Sequence, residues 1–235
     1  MLAGSGEFTA AMNEIDAGLL ATLGDRPRVV VVPTAAGLED TPPTWARKGI
    51  DHFTALGAEP VAAMVLDRGD AHDPRWVEAV ARADWIYFSG GNPGYLVETL
   101  EGTPFWSAVL ARLKDGAILA GSSAGAMMLG QTTFVPTARG PDGFPTEMRT
   151  RAATGLVPNV IVVPHFDILP RRLLEMWTAL WPAGHRMLGI DEDTAIVQDD
   201  GAWTVRGKGR AMVFRTLGDG DTYADGARLD LGTLP

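Results

Sequence analysis

Cysteine is absent from the 235 residues. Its absence removes disulfides, thiolate metal sites and a cysteine nucleophile together, and it accords with a reducing compartment. Long basic runs are missing too. Lys and Arg number 20 against 29 Asp and Glu, a net charge of −9, so the electrostatic footprint of a nucleic-acid binder is not present. No apolar run approaches the ~20 residues of a membrane-spanning helix. Residues 1–8 carry no basic n-region of a signal peptide. Neither an HxxxH nor an HxH pattern occurs, so no metal site is expected. The expectation is a cytoplasmic protein, without cofactor, that binds neither nucleic acid nor membrane and acts on a small substrate; monomer and homodimer both stay open.

What is present suits a folded enzyme. Hydrophobic residues make up 46% of the chain and charged residues 21%, enough for a large core without staples. The length fits one domain over residues 1–235. Five short apolar runs read as buried strands: residues 28–33 (RVVVVP), 61–66, 83–88 (ADWIYF), 117–120 (AILA) and 160–163 (VIVV). They are continuous rather than alternating, the pattern of a sheet covered on both faces. Helical stretches separate them at residues 44–56, 74–81, 95–100 and 104–113, with Pro74 and Pro104 at first-turn positions. The alternation predicts an α/β fold, a three-layer α/β/α sandwich around a mostly parallel central sheet. Residues 189–214 alternate short strands with Asp-Gly and Gly-Lys-Gly turns, predicting a C-terminal antiparallel meander. Residues 135–150 read as the longest irregular loop.

Three motifs carry chemistry. Gly121-Ser122-Ser123-Ala124-Gly125 lies between the AILA strand and a helix-competent stretch, the context of a nucleophile elbow. A strained turn would aim Ser123 Oγ into a cleft at a helix N-terminus, where developing negative charge is favoured; the alternative is a turn of small residues. His165 follows the VIVV strand in Pro164-His165-Phe166, which places it at the carboxyl end of a strand, the cleft side of an open sheet. Serine needs a neighbouring base, and His165 is the candidate, a satisfied structural histidine being the other reading. His52, His72 and His185 read as solvent-facing. Ser89-Gly90-Gly91-Asn92-Pro93 follows a third strand. Its glycines could free a backbone N–H, that of Gly91, to share an oxyanion with that of Ala124, or could simply make a tight turn. Gly4-Ser5-Gly6-Glu7-Phe8 lacks the third glycine of a dinucleotide fingerprint and is set aside.

SGGNP, GSSAGAM and VPHF, in this order and with GIDEDTA near the end, resemble the dipeptidase E and cyanophycinase family of serine peptidases. The resemblance spans nearly the whole chain. It implies a fold similar to class I glutamine amidotransferases, a Ser-His-acid triad and an oxyanion hole at Gly91 and Ala124. It also implies a small, aspartyl-containing peptide or related amide as substrate. Dipeptidase E removes an N-terminal aspartate from dipeptides, and cyanophycinase cuts a β-aspartyl-arginine polymer. Val163-Pro164 stands where cyanophycinases carry Asp-Gln, and Ser122 where dipeptidase E has tryptophan. The resemblance places the acid between nucleophile and histidine, and by its spacing from Pro158 favours Asp142 over Glu147, with Asp167 and Asp191 in reserve. Asp142 in a Pro-Asp-Gly turn could equally be a turn former. Asn92, Arg171 and Arg172 are the candidate substrate-binding residues, the arginines for a substrate carboxylate; a solvated helix face would explain the arginines as well. An amidase or esterase without peptidase function, or a silent small-molecule binder, would share the same fold.

Overall fold

The computed structural model describes residues 1–216 and 218–231, and for Arg171 the backbone alone. In chain order the elements are β1 (Leu2–Ala3), α1 (Asn13–Leu20), β2 (Arg28–Val32), α2 (Pro42–Ala55), β3 (Glu59–Ala62), α3 (Pro74–Ala81), β4 (Trp85–Phe88), α4 (Pro93–Leu100), α5 (Pro104–Lys114), β5 (Ile118–Ser122) and α6 (Ala124–Met127). Then come β6 (Thr132–Arg139), β7 (Pro145–Ala152), β8 (Val160–Val163), α7 (Arg171–Leu180), β9 (Arg186–Ile190), β10 (Thr194–Asp199), β11 (Ala202–Gly207), β12 (Ala211–Thr216), β13 (Asp219–Tyr223) and β14 (Arg228–Leu229).

Helix starts follow one local recipe. Asp73, Asn92 and Thr103 each accept a backbone N–H two or three residues on, and each is followed by a proline. The side chain satisfies an orphan donor while the proline presets φ.

The main sheet has eight strands in the order β14-β11-β10-β1-β5-β4-β2-β3. The β1-β5-β4-β2-β3 half is parallel, and β10, β11 and β14 add antiparallel strands on the other side of β1. Alternate residues of one strand feed two cores. Val30, Val32, Ile86 and Phe88 pack with residues of α3, α4 and α5 such as Val80, Leu96 and Val109. Val29, Val31, Trp85 and Tyr87 pack with Met12, Leu20 and Phe53 of the α1–α2 layer. The period of two therefore produces the three layers.

The later part of the chain departs from the sequence reading. Val160–Val163 is not a strand of the main sheet. It is the edge of a four-stranded sheet, β13-β12-β9-β8, in which β8 and β9 run parallel. The strands expected to form one meander are shared between the two sheets: β10 and β11 join the first, β9 and β12 the second. Val160 and Val162 face the main core while Ile161 and Val163 pack with Leu173 and Trp177 of α7, so both faces are covered here too. Residues 135–150 are no irregular loop. They belong to a hairpin, β6–β7, whose bulges at Pro136 and Ala138 hide the alternating pattern. His52 is not solvent-facing: its Nε2 lies 2.8 Å from Asp16 Oδ2 inside the α1–α2 layer. Among the described residues no helix is long and apolar enough to cross a membrane.

Candidate active site

Ser123 sits between β5 and α6 at φ 51°, ψ −113°, a region that costs a non-glycine residue about 1–3 kcal/mol. The two flanking glycines make the turn physically possible. A Cβ on Gly121 would lie 2.2 Å from the backbone of Gly125, and one on Gly125 would lie 2.3 Å from Phe88 O. The Ser123 N–H is held by Ala3 O, so the central β1 pins the turn from beside it.

His165 follows β8 in left-handed geometry, φ 55°. Its Nε2 is 2.9 Å from Ser123 Oγ. Its Nδ1 is 2.7 Å from Oε1 of Glu192, in the turn after β9. The parallel register sets Val163 beside Gly189, so the chain leaves both strands at the same end. In the tautomer this arrangement favours, Nδ1–H donates to Glu192 and Nε2 accepts from the serine hydroxyl. Asp167 Oδ1 in turn accepts the Glu192 N–H at 2.9 Å and fixes the carboxylate's backbone.

The acid expected from sequence, Asp142, lies elsewhere. It occupies the tip of the β6–β7 hairpin, where Oδ1 accepts the Phe144 N–H and Oδ2 accepts from Arg172. It acts there as a turn former, while Glu192 fills the position beside the imidazole. Glu147 is exposed on β7. Asp191 accepts the Arg210 N–H. Glu192 escaped the sequence reading although it stands in the conspicuous GIDEDTA run. The signal that could have found it is that it closely follows a short apolar run, residues 187–190, as His165 follows VIVV.

Gly91 has φ 141°, and a Cβ there would lie 2.3 Å from Ala35 O, so the turn requires glycine. The N–H groups of Gly91 and Ala124 have no acceptor among the described residues. Asn92 uses its side-chain oxygen to cap α4 at Tyr95 N. Arg172 is committed to Asp142 and lies over the Phe144 ring. Neither Asn92 nor Arg172 lines the cleft; the side chain of Arg171 lies outside the described residues.

The cleft at Ser123 and His165 has a volume of about 490 Å³. Among the described residues its wall carries the carboxylates Glu7, Glu39, Glu192 and Asp193 and one cation, Lys48, whose ammonium sits 4.7 Å over the Trp45 ring. Glu192 serves His165 and Asp193 pairs with Lys208. A smaller cavity of about 100 Å³, lined by Leu100, Trp106 and Met128 among others, lies away from this chemistry. Among the described residues no cluster of His, Asp and Glu is arranged to hold a metal ion.

These features agree with what the chain is similar to. The model of peptidase family S51 matches residues 1–206. A cyanophycinase of Synechococcus elongatus is 31% identical over 189 residues, 78% of this chain and 57% of that protein. A cyanophycinase of Geminocystis herdmanii is 29% identical over 189 residues, 79% of this chain and 68% of that protein. The chain thus spans little more than half the length of the Synechococcus protein. The crystal structure of a peptidase from an acI-B1 actinobacterium is 33% identical, with a TM-score of 0.83 over 97% of this chain and 95% of that one. With its nucleophile turn, histidine and carboxylate on one cleft, the chain belongs to peptidase family S51.

Proposed function

We propose that the protein is a serine hydrolase that cleaves the peptide or amide bond of a small substrate through Ser123, His165 and Glu192. The observation that carries this reading is the continuous run from Ser123 Oγ to His165 to Glu192, at 2.9 and 2.7 Å. His165 Nε2 takes the Ser123 proton as Oγ attacks the carbonyl carbon. Glu192 holds the ring orientation and stabilises the imidazolium. The new oxyanion is accepted by the N–H groups of Gly91 and Ala124. His165 then protonates the departing amine, and water, deprotonated by the same nitrogen, releases the acyl group from Ser123.

The acidic peptide expected from sequence needs a cation in the cleft. Lys48 is the side chain that supports this reading, in the role that the sequence suggests for Arg171 or Arg172. A carboxylate reaching Lys48 would replace the ring face it now covers, while Glu39 and Asp193 would disfavour a second negative charge.

The test is labelling and turnover together. A fluorophosphonate probe should modify Ser123 of the native protein, and N-terminal aspartyl dipeptides should be hydrolysed faster than neutral ones. Ser123→Ala should lose both while keeping its fold. Wild-type turnover in Ser123→Ala would refute the mechanism. Cleavage of simple esters with no dipeptide cleaved would assign an esterase instead.

A further inference from the structure

Glu7 belongs to the GSGEF run that the sequence reading set aside, and the mechanism above leaves it without a role. It is 7% exposed. Among the described residues it meets no cation. A buried carboxylate is costly unless its oxygens are satisfied. Those of Glu7 are satisfied by two neutral donors from different elements: the Gly90 N–H reaches Oε1 at 3.0 Å, and the Ser122 hydroxyl reaches Oε2 at 2.7 Å. Ser122 immediately precedes the nucleophile, and Gly90 immediately precedes the oxyanion donor Gly91. The fit is tight, since a Cβ on Gly90 would stand 3.0 Å from Glu7 Oε1 and 3.3 Å from Ser123 Cβ. The next residue anchors the segment: the Phe8 ring lies 5.1 Å from that of Tyr87 and 5.8 Å from that of His52, within the α1–α2 layer.

We propose that Glu7 is a positioning residue whose carboxylate clamps the nucleophile turn to the glycine turn and so sets the gap between Ser123 Oγ and the Gly91 N–H. By occupying the Gly90 N–H it also leaves Gly91, and not its neighbour, as the donor on that side. Nothing in this role needs a negative charge. A neutral amide offers one oxygen to Gly90 and an NH₂ to the Ser122 oxygen, which then accepts. The inference rests on the serine-hydrolase reading, and the experiment separates the two.

The readouts are the rate of fluorophosphonate labelling of Ser123 and the kcat and KM for p-nitrophenyl acetate, with thermal unfolding as the check on folding. Glu7→Ala should label at least about tenfold more slowly and lose kcat more than KM, since misaligned oxyanion donors weaken the transition state rather than ground-state binding. Glu7→Gln should recover to within about fivefold of the native rate, consistent with the neutral-donor geometry. Ser122→Ala removes one arm of the clamp with little change of volume, and should also slow labelling if Glu7→Ala fails to fold. Native labelling rates in a folded Glu7→Ala or Ser122→Ala would overturn the clamp. So would a Glu7→Gln as slow as Glu7→Ala. No labelling of Ser123 in the native protein would instead refute the serine-hydrolase reading.

Discussion

Glu192 Oε1 lies 2.7 Å from Nδ1 of His165, although 27 residues of chain separate them. The contact exists because β8 and β9 are parallel neighbours that end together.

This relationship makes opposite predictions for two acids. Glu192→Gln should cut kcat by orders of magnitude, about 10⁴-fold being the loss in the best-studied triad. Asp142→Asn should leave kcat within a few-fold of native. It loses only a surface contact with Arg172, and exposed ion pairs of this kind contribute little to stability. Steady-state kinetics of the two variants decides the matter, and a crippled Asp142→Asn beside an active Glu192→Gln would reverse the assignment.

Replacing Lys48 by Met keeps the stem on Trp45 and removes the charge. KM should rise for substrates with an acidic side chain and change little for neutral ones, with kcat preserved for both. Equal effects on both classes would exclude Lys48 from carboxylate recognition.

Two glycine-to-alanine changes should act in opposite directions. In Gly125→Ala the new Cβ meets Phe88 O at 2.3 Å, and overpacking of this kind costs about 1–3 kcal/mol. Gly18 lies within α1 with nothing within 4 Å of the added carbon. Gly18→Ala should therefore stabilise the protein by up to about 1 kcal/mol through helix propensity. Urea unfolding of both variants checks the sign of each.

Tyr87 provides a pH test of the buried layer beneath the nucleophile turn. Burial drives its phenol well above the ordinary value, and the nearby Asp16 and Glu7 carboxylates push the same way. The unfolded chain ionises near pH 10 while the folded one does not. Stability linked to Tyr87 is therefore fully present below that pH and is lost as pH rises beyond it, through the higher value of the folded state. An absorbance titration should show the Tyr87 phenol ionising late in the folded protein and being released on unfolding. An absorbance change on unfolding above about pH 10 that is the same in Tyr87→Phe would contradict this burial.

The parts of this structure legible in the sequence are those with a local cause. Val29 to Val32 form a strand because β-branched residues run without a polar break, and α3, α4 and α5 start where an Asx or Thr cap meets a proline. Ser123 and His165 stand out because each follows an apolar strand. What was not legible depends on pairing between distant segments. VIVV has the composition of a main-sheet strand, and nothing in its four residues says that β9 rather than β5 is its partner. The carboxylate beside His165 is brought there by that pairing, so Glu192 was missed with it. Glu7 was overlooked because it lies in the turn after β1, a strand of two residues, too short to register as a hydrophobic run.

That short strand also governs the order of assembly. β5-β4-β2-β3 is encoded by residue 122, and β10, β11 and β14 come only after residue 193. β1 joins the two halves, pairing Leu2 with Gly121 on one side and Ile196 on the other. The pairing of residues 2–3 with residues 195–196 joins segments far apart in the sequence, a closure of high contact order and correspondingly slow. The cleft takes Glu7 from before this closure and Glu192 from the turn beside it, so its completion should depend on the same slow step. Pulse-labelled hydrogen exchange during refolding should find the amides of Gly4 and Ser123, bonded to Thr194 O and Ala3 O, among the last protected.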